Sequence, residues 1–456
     1  MAQITTKGLG PEKTKGTDRP LSVIYRNVTD LKLAPGNPRL HSRKQIRQIA
    51  RSIEAFGFNV PVLIDAQMGV IAGHGRILAA GLLGLTQVPT ISLEHLTAPQ
   101  IHAFMIADNR LTENSSWDER LLAEQIKALS EVELDFNLEA TGFEMGEIDV
   151  MIEGLAPGHQ GQEDPADALP EIPANLQVSR SGDLWVLGRH RVLCGNALHG
   201  SSYQALLHDS RAAMIFTDPP YNVPIAGHAT GLGRIQHQDF EMASGEMSES
   251  EFTEFLTQAL AHTAKHSADG ALHFICMDWR HMGELLAAGR RVYSELKNLC
   301  VWAKTNAGMG SLYRSQHELV FVFKSGKGVH CNNVQLGQYG RCRSNVWHYP
   351  GLNSFSRNTE EGNLLELHPT VKPVALVADA IMDCTGRGDV VLDPFLGSGT
   401  TVIAAERTGR LGYGIELDPV YVDTAIRRWQ AFTGQNAVKE SSGRTFAEVE
   451  REAEHG

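Results

Sequence analysis

Two short apolar runs, each ending in an Asp-Pro step, constrain this chain more than any other feature. Residues 212–216 run into Thr217-Asp218-Pro219-Pro220-Tyr221, and residues 389–392 run into Asp393-Pro394-Phe395-Leu396-Gly397-Ser398-Gly399-Thr400-Thr401. An apolar run of this length closed by turn formers predicts a buried strand that stops at the edge of a sheet. The second is followed by a helical pattern over 402–407 and a further strand over 412–415 that ends in Glu416. Strands alternating with helices predict an α/β fold, whose ligands lie outside the carboxyl ends of the strands.

At the first strand end the two prolines lack N–H donors and fix the backbone. The carboxylate of Asp218 and the carbonyl of Pro219 can then face one site, with Tyr221 as an aromatic wall. Acceptors beside an aromatic ring suit a planar substrate with an exocyclic amine. Such an amine delocalises its lone pair into the ring, and two acceptors that draw its hydrogens toward a tetrahedral arrangement restore its nucleophilicity. A base carrying this amine must leave the duplex to be reached, and Tyr221 would stack on it.

At the second strand end Gly397 and Gly399 let the backbone turn tightly and approach a ligand. Glu416, some twenty residues on, is placed to accept the hydroxyls of a ribose. The loop has no Lys after its glycines, which excludes a Walker phosphate loop, and Val402 stands where a dinucleotide fingerprint has its third glycine. The expected ligand is a nucleoside cofactor without a pyrophosphate.

Phe395-x-Gly397-x-Gly399 resembles the S-adenosylmethionine loop of Rossmann-like methyltransferases. Together with Asp218-Pro219-Pro220-Tyr221, with His368-Pro369-Thr370-Val371-Lys372-Pro373, and with Glu416-Leu417-Asp418-Pro419-Val420-Tyr421, it makes residues 181–435 similar to the amino-methylating DNA methyltransferases. Catalytic motif first and cofactor motif last is that family's permuted, beta-type order. The resemblance implies that Asp218 and the Pro219 carbonyl, held by Pro220, take the target amine while Tyr221 stacks. It implies that Asp393, Phe395, Gly397, Gly399 and Thr400 line S-adenosylmethionine, with Glu416 on its ribose and Thr370 and Lys372 near its methionine end. Asn196 stands where relatives often carry an acidic residue near the cofactor's adenine. Asp at the first motif position resembles the adenine-directed members, so adenine N6 is the expected target and cytosine N4 the alternative. Methylation at carbon 5 is excluded, because that family needs a cysteine after proline and no Pro-Cys pair occurs. Protein glutamine methyltransferases begin the motif with Asn and are the weaker match.

Toward the N-terminus, Ile46, Ile49, Ile53 and Phe56 recur at helical spacing, with Arg43, Arg47 and Arg51 on another face. Extended stretches follow at 60–64 and 70–72, and Gly73-His74-Gly75-Arg76 then opens an apolar helix over 77–83. A glycine-rich helix entry presents N–H groups to an anion. With Asn37-Pro38-Arg39, these features resemble the ParB-like domain of the ParB/sulfiredoxin fold over about residues 20–115. Nucleotide-binding members carry Gly-Glu-Arg-Arg where this chain has Gly73-His74-Gly75-Arg76. A DNA-binding ParB-like regulator carrying an inert methyltransferase fold is the rival reading.

The expected fold is thus an α/β, Rossmann-like S-adenosylmethionine-dependent methyltransferase sheet with a smaller α+β ParB/sulfiredoxin-like domain before it. The expected divisions are a flexible N-terminus (1–20), the ParB-like domain (21–117), a helical bridge (118–155), a Pro-, Gly- and acid-rich linker (156–180), the methyltransferase domain (181–436) with target recognition at about 327–366, and a tail (437–456). Net charge is −12, so a DNA partner must be met locally. Residues 280–343 supply that patch, with ten Lys or Arg against three Glu. Lys304, Arg314, Arg341 and Arg343 are its candidate DNA contacts. His237, Asp239 and Glu241 read as a polar flap, and no metal site is assigned. Trp302 and Trp347 are as well suited to core packing as to base stacking. No apolar run reaches the ~18 residues of a membrane span, no secretory signal opens the chain, and the six scattered cysteines read as reduced thiols. A cytoplasmic protein acting on double-stranded DNA is expected, away from membranes. A homodimer and a cognate restriction enzyme are compatible with such a chain but not given by it.

Overall fold

The computed structural model describes residues 21–155, 164–170, 177–222, 247–305, 312–337, 341–351 and 371–455. It divides into two units, Met1–Glu144 and Met145–Gly456.

The first unit contains β1 (Val23–Asn27), α1 (Arg43–Phe56), β2 (Val62–Ile64), β3 (Val70–Ala72), α2 (His74–Leu82), β4 (Gln87–Ser92), α3 (Ala98–Glu113) and α4 (Glu119–Ser130). Its four strands lie in the order β1-β4-β2-β3, with only the β2–β4 pair parallel. Helix α1 starts where Ser42 Oγ accepts from the Gln45 amide at 3.1 Å, a serine N-cap. Its basic face is partly spent within the unit, through Arg51–Glu139 at 2.9 Å and Lys44–Glu144 at 3.8 Å. Helix α2 opens on Gly73 at φ +104°, and a Cβ on Gly75 would stand 2.9 Å from Ile49 of α1. The glycine-rich entry therefore has a packing reason of its own, the close approach of α1 and α2.

The second unit begins with α5 (Met145–Glu153), followed by β5 (Leu184–Leu187), β6 (His190–Cys194), α6 (Gly200–Leu207), β7 (Ala212–Thr217), α7 (Glu249–His266), β8 (Ser267–Met277), α8 (Met282–Val292), β9 (Glu295–Ala303), β10 (His317–Lys324), β11 (Val346–His348), α9 (Val374–Cys384), β12 (Val390–Asp393), α10 (Thr400–Thr408), β13 (Leu411–Glu416), α11 (Pro419–Thr433), β14 (Val438–Lys439) and α12 (Phe446–His455). Ten strands form one sheet in the order β11-β9-β10-β8-β7-β12-β13-β6-β5-β14. The central run β8-β7-β12-β13-β6 is parallel. Alternate residues feed opposite faces: Met214 and Phe216 pack with α9, α10 and α11, while Ile215 packs with α6. Ile275 and Met277 likewise face α7 and α8, which explains why these strands read as unbroken apolar runs.

The chain leaves β7 through α7 toward β8, and leaves β12 through α10 toward β13, so the connections diverge between β7 and β12. That divergence is a topological switch point, and it opens a crevice at the carboxyl ends of these two strands.

The boundary between units falls inside the expected helical bridge, with α4 in the first and α5 in the second. Asp149 of α5 meets Arg410 in a two-pronged pair at 2.9 and 2.8 Å, both side chains 0% exposed, with Thr385 and Thr408 taking the remaining guanidinium hydrogens. The described part of the expected linker is tied down as well. Asp167 accepts from the Val374 amide at 2.7 Å, and Asp423 accepts from the Val178 and Ser179 amides at 2.7 and 3.0 Å. Beyond residue 436, β14 extends the sheet and Phe446 packs on Trp185 at 5.3 Å. Asp149→Ala should destabilise the second unit by about 3–5 kcal/mol, because it strands a buried guanidinium. Asp149→Leu with Arg410→Met should recover much of that loss. Urea unfolding followed by tryptophan fluorescence checks both.

Candidate active site

The two Asp-Pro motifs, 175 residues apart in sequence, meet at this crevice. Strands β7 and β12 run side by side with Leu392 opposite Ile215, so their ends emerge together. Thr217 donates its hydroxyl to Asp393 Oδ1 at 2.9 Å, Thr401 donates to Oδ2 at 2.7 Å, and the Phe395 amide donates to Oδ1 at 3.1 Å. Burial pushes the Asp393 carboxyl up to about 6 against the pull of these three bonds. Asp393, expected to line the cofactor, fastens the end of β7 to the glycine loop through these contacts.

Asp218, Tyr221 and Lys372 form one cluster. Tyr221 Oη donates to Asp218 Oδ1 at 2.5 Å, and Lys372 Nζ donates to Oδ2. Lys372 also pairs with Glu318 Oε2 at 3.1 Å, lies 5.9 Å from the centre of the Tyr221 ring, and is only 4% exposed. Glu318 in turn holds Lys304. Burial pushes the Asp218 carboxyl up, with Glu318 adding to the shift and Lys372 opposing it. At Glu318 burial acts in the same direction, but Lys372 and Lys304 outweigh it and hold the carboxyl below its ordinary value. Both oxygens of Asp218 thus have donors within the protein, where the motif alone suggested a carboxylate facing an open site. Pro219 is buried and Pro220 half-buried, and the chain leaves the motif through Asn222 at φ +53°. The Asn222 amide is clamped to Met247 by bonds of 2.7 and 3.2 Å.

The glycine loop turns through Gly397 at φ +53° and Gly399 at φ +88°. Glu416, at the end of β13, accepts from the Gly397 amide at 2.8 Å and the Asp418 amide at 2.9 Å, and burial raises its carboxyl to about 7. Arg428, fully buried on α11, braces this loop from behind by donating to Thr400 Oγ1 at 2.9 Å. Phe395 lies 6.0 Å from Phe255, and Phe395 and Tyr221 border the same apolar cluster. Asn196, at the end of β6, turns its Oδ1 to the Leu198 amide at 2.8 Å. A glycine bend without Cβ atoms, a carboxylate at the next strand end and an aromatic flank suit a nucleoside cofactor. Thr370, like His237, Asp239 and Glu241, lies outside the described residues.

The expected DNA contacts separate. Arg341 is 7% exposed and bonded to Asp379, Asp383 and Glu153, and Arg343 is bonded to Asp379, Asp383 and Tyr349. These two were expected on the DNA-facing surface; they are held inward because α9 and α5 present carboxylates to them. Lys304 is paired with Glu318 and lies over Trp302, while Arg314 is exposed shortly before β10. Trp302 and Trp347 are buried in the core. Glu318 was missed by the sequence reading; its signal was a carboxylate at the mouth of an apolar strand. In the first unit, Arg39, His74, Arg76 and Asn109 line a cleft of about 170 Å³, with Arg39 donating to Asn109 at 2.8 Å.

Comparison with known proteins bears on both units. Residues 212–427 match the model of a DNA methylase family, and residues 120–181 match the ParB-methyltransferase HTH domain, across the expected bridge and linker. Over 80 residues the chain is 44% identical to the ParB-like nuclease domain-containing protein YnaK of Escherichia coli (strain K12), covering 18% of this chain and 92% of that one. Over 268 residues it is 25% identical to the type II methyltransferase M.HpaI of Haemophilus parainfluenzae, covering 55% of this chain and 77% of that one. Among solved structures, the PvuII DNA methyltransferase (cytosine-N4-specific) is similar with a TM-score of 0.41 and 15% identity, over 62% of this chain and 96% of that one. The chain belongs to the fusions of a ParB-like domain with a DNA methyltransferase of the N6/N4 class. Among the described residues no helix is long and apolar enough to cross a membrane.

A Cβ on Gly399 would stand 2.7 Å from Ala425 Cβ and 3.0 Å from its Cα, at a φ of +88°. Gly399→Ala should cost about 1–3 kcal/mol of stability and weaken cofactor binding by displacing the loop from α11. Urea midpoints and calorimetric titration read the two effects.

Proposed function

We propose that this enzyme methylates adenine N6 in duplex DNA, on a base turned out of the helix. The observation that carries the reading is the Thr217–Asp393 bond at neighbouring strand ends, which sets the amine-binding motif beside the glycine bend. S-adenosylmethionine is the cofactor, and when bound it supplies a methyl group on its sulfonium. Asp218 and the Pro219 carbonyl accept the hydrogens of the target amine, and Tyr221 stacks on the base. As the amine nitrogen takes the methyl group, the bond from that carbon to sulfur would break to leave a neutral thioether, and the amine would lose a proton to the Asp218 carboxylate. Phe395, Gly397, Gly399 and Thr400 shape the cofactor's bed, with Glu416 on its ribose and Lys372 where the two motifs meet. Asp at the first motif position supports adenine over cytosine. Arg314 contributes to the duplex-facing surface, and the region matching a helix-turn-helix domain gives the chain a second handle on DNA.

Incubating duplex DNA of varied sequence with the protein and S-adenosylmethionine, followed by nucleoside mass spectrometry, should yield N6-methyladenine. A yield of N4-methylcytosine alone would overturn the adenine assignment. Asp218→Ala should lower transfer by a factor on the order of a hundred to a thousand while sparing cofactor affinity.

A second expectation concerns pH. The Glu416 carboxyl, raised to about 7, ionises as pH increases through neutrality, and the ionised form is the better ribose acceptor. Cofactor affinity should therefore rise by up to about tenfold between roughly pH 6 and pH 8. Glu416→Gln should bind more weakly with a flat profile, as read by calorimetry; a flat wild-type profile would remove Glu416 from the ribose.

A further inference from the structure

Each oxygen of Asp218 already accepts from a donor, Tyr221 at one and Lys372 at the other. A target amine competes with these donors for the lone pairs of the carboxylate, and Lys372 is the donor that also contacts a second carboxylate. An ammonium only 4% exposed cannot be left without a counter-ion, since stranding a buried charge costs several kcal/mol. Glu318 Oε2 lies 3.1 Å from the same Nζ.

Glu318 is itself firmly mounted. It sits on β10 opposite Trp302 of β9, and its other oxygen is held by Lys304, the residue that follows β9. The Lys304 ammonium lies 4.6 Å from the centre of the Trp302 ring, and that ring is anchored by its N–H to the Tyr349 carbonyl at 3.0 Å. The Lys304 carbonyl accepts from the Gln316 amide at 2.9 Å. Two lysines and two carboxylates thus form a charge-balanced row, Lys304–Glu318–Lys372–Asp218. Its outer end is braced on β9 and β10, and its inner end is the carboxylate read above as the acceptor for the target amine. Among the described residues, Tyr221, Cys276 and Asp393 are the other titratable groups facing this row.

We propose that Glu318 is a positioning residue for methyl transfer: it retains Lys372 as a standing counter-ion, so that Asp218 can exchange the ammonium for the hydrogens of the target amine. The inference rests on the methyltransferase reading of this site and adds a member that the two sequence motifs do not contain. With Glu318 neutralised, Lys372 would have Asp218 as its remaining carboxylate partner in the row, and Asp218 would be held away from substrate. The same change removes a negative neighbour from Asp218 and so favours its ionised form. Loss of the Lys304 charge acts in the opposite sense, leaving excess negative charge beside Asp218.

The test is the pH profile of kcat for the full-length protein, with DNA and S-adenosylmethionine saturating and thermal unfolding run alongside. Glu318→Gln should lower kcat by up to about a hundredfold, leave the cofactor KM near the wild-type value, and move the acid limb down by about one pH unit. Glu318→Asp should restore part of the rate. Lys304→Met, at a side chain 27% exposed, should move the acid limb upward and serves if Glu318→Gln does not fold. Opposite shifts in the two variants support the proposal, because a merely structural role would lower unfolding temperatures without moving the limb in either direction. Acid limbs unmoved in both variants, with the wild type active, overturn it. A wild-type protein that transfers no methyl group to any DNA would overturn the underlying reading, and this proposal with it.

Discussion

The bond from Thr217 to Asp393 is the constraint on which the site depends. It joins the last residue of β7 to the last residue of β12, where a sheet has no further backbone pairing to hold two strand ends together. Hydrogen bonds to a charged acceptor contribute about 1.5–3 kcal/mol each, and Asp393 accepts three, from β7, from its own loop and from α10. The carboxylate thereby couples β7, which ends in the Asp218-Pro219-Pro220-Tyr221 motif, to the glycine loop and α10. Displacing either half breaks bonds to a buried acid, so the two strand ends keep a separation set by one side chain.

Buried charge recurs away from the crevice, and there it fixes architecture. Arg410 with Asp149, and Arg341 and Arg343 with Asp379 and Asp383, are ion pairs whose components are costly to desolvate. Their geometry supplies partners on every side, as the Thr385 and Thr408 contacts of Arg410 show. An apolar contact in these places would tolerate sliding; a two-pronged pair admits one register. Through Asp149 and Glu153, helix α5 is held in one position relative to Arg410 and Arg341.

The strand ends were legible in the sequence because their signal is local. An apolar run interrupted by Asp-Pro announces both burial and its limit, and β7, β12 and β13 appear within a residue or so of where the pattern puts them. The glycine positions were legible for the same reason, since a tight bend leaves few alternatives. What the chain concealed was the partnership of charges. Counting Lys and Arg over residues 280–343 finds an excess of positive charge but not its direction. Arg341 and Arg343 lie next to an exposed stretch in sequence and turn inward in space because Asp379 and Asp383 sit one helical turn apart on α9. Glu318 was concealed by the same limit: its meaning depends on Lys372, more than fifty residues later.

That Asp218 is satisfied within the protein before substrate arrives follows from where it sits. A carboxylate at a half-buried strand end with open valences would be destabilising or would take up a proton, and a protonated acid is a poorer acceptor for an amine. Partnering it with Tyr221 and Lys372 opposes the upward push of burial on the carboxyl, and on the proposed reading a target amine enters by exchange with one of these partners. Selectivity can arise from this exchange itself. A group that cannot replace the ammonium with a donor of its own leaves Asp218 where it is, whereas an exocyclic amine brings hydrogens of the right number and direction. The row of alternating charges ending at Lys304 keeps a second carboxylate, Glu318, in contact with Lys372, so an ammonium that yields Asp218 to the target does not face an apolar wall.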